Sequence, residues 1–164
     1  MKNTKEHILS LLKQVSDPEI PVLTILDLGI VRDVVCSSNK DVVITITPTY
    51  SGCPAMDAIA FDIKLKLIEN GFEKVKIVYS LSPAWTTDWM SEEGKKKLQS
   101  YGIAPPQNIS SRIEKLLFEE ENHIECPRCH STNTKLLSQF GSTACKALYQ
   151  CTDCKEPFDY FKCH

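Results

Sequence analysis

Cys126-Pro127-Arg128-Cys129 is answered across residues 130–150 by Cys151-Thr152-Asp153-Cys154. Each C-x-x-C turn offers two sulfurs from one tight knuckle, so two such turns can bring four thiolates to a point. Tetrahedral sulfur coordination suits zinc and also accepts iron, so the pattern defines the ligands better than the metal. We expect one structural zinc per chain, held by Cys126, Cys129, Cys151 and Cys154. Cys145 and Cys163 are left over. Either offers an alternative ligand, as do His130 beside the first knuckle and His164, but two intact C-x-x-C knuckles make four-cysteine binding the simpler choice.

A second thiol stands alone. Cys53 follows Gly52 and precedes Pro54, after which Met56, Ile59, Ala60, Ile63 and Leu67 fall at helical spacing as far as Asn70-Gly71. Proline suits a first helical turn. Cys53 therefore lies at or beside a helix N-terminus, where backbone amides and the helix dipole favour a thiolate. One reading makes it a nucleophilic or metal-binding thiol; the other makes it a small residue under the loop. No histidine occurs between His7 and His123, so no Cys-His pair is expected in this half. Two acidic stretches precede it, Asp17-Pro18-Glu19-Ile20-Pro21 and Asp27-Leu28-Gly29-Ile30-Val31. Asp17, Glu19 and Asp27 either support the thiol or satisfy turns and backbone amides.

The elements that must position these groups follow from periodicity. Ile8, Leu11, Leu12 and Val15 predict an amphipathic helix over roughly 4–15, opened by Asn3 and Glu6 and stopped by Pro18. Val31 to Val35 and Val42 to Thr47 predict a hairpin turning at Ser37-Ser38-Asn39-Lys40, and Val75 to Tyr79 a third strand. The order helix, strand, strand, helix, strand is a small α+β domain, its sheet covered on one face by helices. The loop after it holds both tryptophans, Trp85 and Trp89. They either contact a partner or plug the edge of a small core. Ser91, Glu92 and Glu93 open a further helix that Gly102 ends. Pro105-Pro106 marks a boundary, giving an α+β domain over 1–104, a linker over 105–122 with a short helix from Ile109 to Glu121, and a ribbon over 123–164. Leu136 to Phe140, Lys146 to Gln150 and Pro157 to Lys162 are its expected strands.

With 164 residues the chain can hold one moderate core and a small metal-stapled module. A formal charge of -2, and a tail without basic stripes or interleaved stacking aromatics, point away from nucleic acid. No apolar run is long enough to span a bilayer and the start carries no signal-peptide pattern, so a cytoplasmic location and no membrane partner are expected. In a reducing compartment eight cysteines imply metal or reactive thiols rather than disulfides.

The two acidic stretches together with Gly52-Cys53-Pro54 resemble the SufT-like domain family of iron-sulfur cluster assembly. With the Trp85 to Met90 loop and the run Phe140-Gly141-Ser142-Thr143-Ala144-Cys145-Lys146-Ala147-Leu148-Tyr149-Gln150-Cys151, the resemblance narrows to the PaaD (PaaJ) family of bacterial phenylacetate degradation and covers nearly the whole chain. That resemblance implies an accessory protein, not an enzyme. It would mature or support the phenylacetyl-CoA oxygenase (epoxidase) complex, whose reductase component carries an iron-sulfur cluster and flavin. The chain itself has neither paired Glu-x-x-His motifs for a di-iron centre nor a dinucleotide-binding glycine fingerprint. The resemblance further implies that Cys53 is a cluster-related thiol meeting a transient iron-sulfur cluster, and that the oxygenase components, the reductase above all, are partners. Self-association stays open. The alternative is a non-catalytic scaffold subunit bound stably in the oxygenase.

Overall fold

Alternation of branched apolar residues makes Asp41–Ile46 (β2) the centre of a three-stranded sheet in the computed structural model, which describes residues 4–37, 40–107 and 123–162. Val42, Ile44 and Ile46 are essentially inaccessible, as a strand buried on one face requires. Val31–Cys36 (β1) pairs with β2 antiparallel, and Lys74–Tyr79 (β3) pairs with it parallel on the other side. The parallel step needs a crossover, supplied by the helix Ala55–Glu69 (α2). Its buried residues include Met56, Ile59, Ala60, Ile63 and Leu67, the set expected from spacing.

Thr4–Leu12 (α1) packs on α2 and β1 and buries Ile8, Leu11 and Leu12. It ends earlier than its apolar pattern: Gln14 and Val15 donate to the carbonyls three residues back, a tightened last turn that still buries Val15. The expected cap residue Asn3, and Ser38 and Asn39 of the hairpin turn, lie outside the described residues. Register between β1 and β2 shifts between Val31 and Asp33, so Arg32 has no partner across the ladder.

The chain divides into two units, the second taking residues 86–88 and what is described from Glu92 onward. The expected boundary at 104 lies inside the second of these units. The helix Glu92–Tyr101 (α3) and the strand Ile103–Ala104 (β4) belong with the ribbon, because β4 pairs parallel with Pro157–Phe161 (β7). The second sheet runs β4, β7, Lys146–Cys151 (β6), Thr134–Ser138 (β5). β5 starts two residues before the apolar run that suggested it and bulges between Leu136 and Ser138. The helix expected from Ile109 to Glu121 lies outside the described residues. The architecture is thus α+β, with two small sheets and a ribbon carrying the cysteine cluster.

Candidate functional site

The chain leaves β2 through Thr47, whose amide is held by the Ile30 carbonyl at 2.8 Å. It then turns tightly: the Cys53 amide donates to the Tyr50 carbonyl at 3.3 Å, and Gly52 takes φ +78°. A Cβ at Gly52 would meet nothing within 4 Å, so glycine serves the backbone angle and not a close contact. Pro54 occupies the N-cap of α2 at φ -68°, and the Cys53 carbonyl accepts from the Met56 amide at 3.3 Å. Cys53 is thereby half-buried just before the helix.

The expected thiolate is not what this setting favours. Burial pushes the Cys53 thiol above its ordinary value; the Ala55 amide and the Tyr50 hydroxyl pull it down, and the charges of Glu19 and Asp17 raise it again. Desolvation therefore outweighs the helix terminus, and the resting group is a protonated thiol. Tyr50 escaped the reading of the sequence, although an aromatic hydroxyl between Pro48 and Pro54 was the signal available.

The acids divide. Asp17 is buried, and its Oδ1 accepts the amides of Glu19 and Ile20, each at 2.8 Å. It caps a turn and, with Glu19, also places negative charge against Cys53. Asp27 works elsewhere. Its Oδ2 accepts from the amide and hydroxyl of Thr24 at 3.0 and 2.9 Å, and Ser91 donates to its Oδ1 at 3.1 Å, joining the loop before β1 to the loop after β3. Trp85 reinforces that junction: it is 4 % exposed and its Nε1 donates to the Leu28 carbonyl at 2.8 Å. Of the two readings for the tryptophans, Trp85 is the plug and offers no face to a partner. Trp89 is partly exposed.

In the second unit the four cysteines converge. Their sulfurs all lie within 4.8 Å of one another, with Cys126 3.7 Å from Cys154 and Cys129 3.6 Å from Cys151. A tetrahedron with zinc–sulfur bonds of about 2.3 Å has edges of about 3.8 Å, so the set fits a tetrahedral metal. Each knuckle closes alike. The residue after its second cysteine, His130 or Lys155, takes φ near +60°, at 62° and 65°. Electrostatics point the same way. The Ser131 amide draws the Cys129 thiol down, but desolvation and the three neighbouring sulfurs push it up to about 12. Cys151 is held at about 7, chiefly by the Cys154 amide. Four thiols this close cannot all ionise without a cation, and a bound metal would displace their protons.

The other candidate ligands stand apart. His130 Nδ1 contacts Glu125 at 2.6 Å, and the buried Cys145 sulfur lies 3.0 Å from the Thr143 hydroxyl. Cys163 and His164 are outside the described residues. No helix of the described residues is long and apolar enough to cross a membrane.

Comparison with known proteins assigns each unit. Residues 110–162 match the PaaD zinc beta ribbon domain, and residues 5–77 match the iron-sulfur cluster assembly protein family. A protein of Escherichia coli (strain K12), provisionally named as one of the subunits of 1,2-phenylacetyl-CoA epoxidase, is 52 % identical over 157 residues, covering 96 % of this chain and 92 % of its own. An Fe-S protein maturation auxiliary factor of Porphyromonas gingivalis is 40 % identical over 96 residues, 58 % of this chain and 90 % of that protein. The crystal structure of a domain of unknown function, DUF59, from Bacillus anthracis superposes with a TM-score of 0.55 at 32 % identity, covering 58 % of this chain and 91 % of that one.

Proposed function

This chain belongs to the PaaD family of phenylacetyl-CoA epoxidase subunits, and on that premise we propose that it is a non-catalytic accessory protein that assists iron-sulfur cluster assembly on the reductase of such an oxygenase. Cys53 would be the thiol that meets the cluster or its iron, supported by Asp17, Glu19 and the Gly52 turn. The ribbon would hold one structural zinc through Cys126, Cys129, Cys151 and Cys154 and present a rigid surface to the client. The observation that carries this reading is a half-buried thiol at the start of α2, faced by two carboxylates, inside the stretch that matches iron-sulfur assembly proteins. Carboxylates that oppose a bare thiolate favour the same sulfur once a cation sits between them. The thiol would then stay protonated, and poorly reactive, until metal arrives.

The test is metal and acid-labile sulfide content of anaerobically purified wild type and Cys53→Ala, together with cofactor loading of the reductase in a reconstituted system. Zinc should be unchanged in the variant, while reductase loading falls. Full loading by Cys53→Ala would remove the thiol from the function. The Escherichia coli relative is named among the epoxidase subunits, which favours a second reading, a scaffold held stably in the oxygenase. Stoichiometric co-elution with the oxygenase components would support that reading over transient maturation.

A further inference from the structure

Arg32 lies on the surface of the first unit, yet three separate features hold it in place. It is the extra residue where the register of β1 against β2 shifts, and a bulge of this kind re-aims a side chain. Its guanidinium carbon lies 3.6 Å from the centroid of the Trp89 ring. Trp89 is itself fixed against Gly29, where a Cβ would come within 2.1 Å of the Trp89 carbonyl oxygen and φ is +68°. Only glycine permits that approach.

Stacking on an indole occupies the face of a guanidinium and leaves its planar fork of N–H donors at the edge. One of them reaches the Gly29 carbonyl at 3.5 Å, a long contact. Among the described residues no carboxylate pairs with Arg32, and the neighbouring Asp33 pairs with Lys5 at 3.6 Å. The side chain is exposed and its conformational freedom is already spent, which lowers the cost of adding a partner.

We propose that the Arg32–Trp89 pair is an anchor for an acidic segment of a partner protein, with Arg32 taking a carboxylate side chain through two parallel hydrogen bonds. Arginine and tryptophan are the residue types on which docking energy concentrates. A carboxylate is favoured over a phosphate because Arg32 is the sole arginine in the sequence of the first unit, whereas phosphorylated segments are read by clusters of arginines. This inference goes beyond the role given to Cys53 and does not depend on it.

The experiment titrates the full-length protein into a short fluorescein-labelled peptide alternating glutamate and leucine, followed by anisotropy and by tryptophan emission. Saturable binding is expected, with a change in emission that Trp89→Phe abolishes. Arg32→Gln should weaken it about tenfold or more, and Arg32→Lys nearly as much, because lysine keeps the charge and loses the fork. The glutamine–leucine counterpart of the peptide should not bind. Absence of saturable binding, equal binding by Arg32→Gln, or equal binding of the glutamine peptide would each overturn the proposal. Preference for a phosphoserine–leucine peptide would overturn the carboxylate assignment. Reductase loading by Cys53→Ala is read in a separate assay, so either idea can fail alone.

Discussion

A thiol beside a helix N-terminus is pulled toward ionisation by the helix and away from it by burial and by neighbouring carboxylates; at Cys53 the second group wins. Because its pKa is raised, the reactive thiolate is scarce at neutral pH and accumulates only as pH climbs beyond the range of an ordinary cysteine. Alkylation of Cys53 by iodoacetamide, followed by peptide mass spectrometry from neutral to alkaline pH, should therefore be slow and rise late. Glu19→Gln removes one of the charges that raise the pKa and should move that rise to lower pH. An unchanged profile would mean that Glu19 does not act on the thiol. The place of Cys53 was legible in the sequence, since Pro54 and the spacing from Met56 to Leu67 locate the helix start. Its protonation was not, because Asp17 and Glu19 come to face it only once β1 and β2, which separate them from it along the chain, have folded.

Among the elements, α2 joins the site to the core. Ile63 is fully buried on its inner face, while Phe61, two residues earlier, is 64 % exposed. Ile63→Ala should cost about 2–5 kcal/mol, the lost burial plus the cavity left behind. Phe61→Ala should change stability by less than about 0.5 kcal/mol. Denaturant unfolding of the two variants measures the contrast; similar losses would mean that Phe61 is covered. That inner face was readable because a helix long enough to repeat its period averages over local accidents. β4 was not readable. Two residues carry no period, and nothing local to Ile103-Ala104 announces that their partners lie at Asp159 and Tyr160. The early end of α1 escaped for a related reason: Val15 keeps the apolar spacing of a helix while its amide bonds three residues back.

For the molecule as a whole, the two units rest on different foundations. The first has a sheet and two helices around a core of branched residues. The second has a cluster of Ala104, Ile124, Cys126, Ala147, Cys151, Phe158 and Tyr160, in which two of the four clustered cysteines are themselves core residues, so the ribbon's packing and its cysteine site are one structure. Removing the metal with a chelator at neutral pH should therefore unfold the ribbon, since structural zinc supplies about 10–16 kcal/mol in comparable small domains. Hydrogen exchange read by mass spectrometry should show protection lost across β6 and β7 and kept across β2 and α2. Retained protection over β6 would mean that the ribbon stands without metal. The convergence of the four cysteines was the most legible feature of the chain, because two C-x-x-C knuckles are a local signature. The composition of the ribbon core was the least, because it draws on Ala104, far upstream of either knuckle.

Ala104 and its strand also bear on heredity. The stretch from Glu92 to Ala104 lies between the two family matches, at 5–77 and 110–162, yet its strand completes the ribbon sheet. A recombination event that cut between the matched regions just ahead of residue 110 would hand on a ribbon missing an edge strand and part of its core. The heritable module is thus longer than the recognisable one, and a gene fusion that inherits this ribbon intact must carry β4, with the end of α3 that leads into it, upstream of the segment its cysteines advertise.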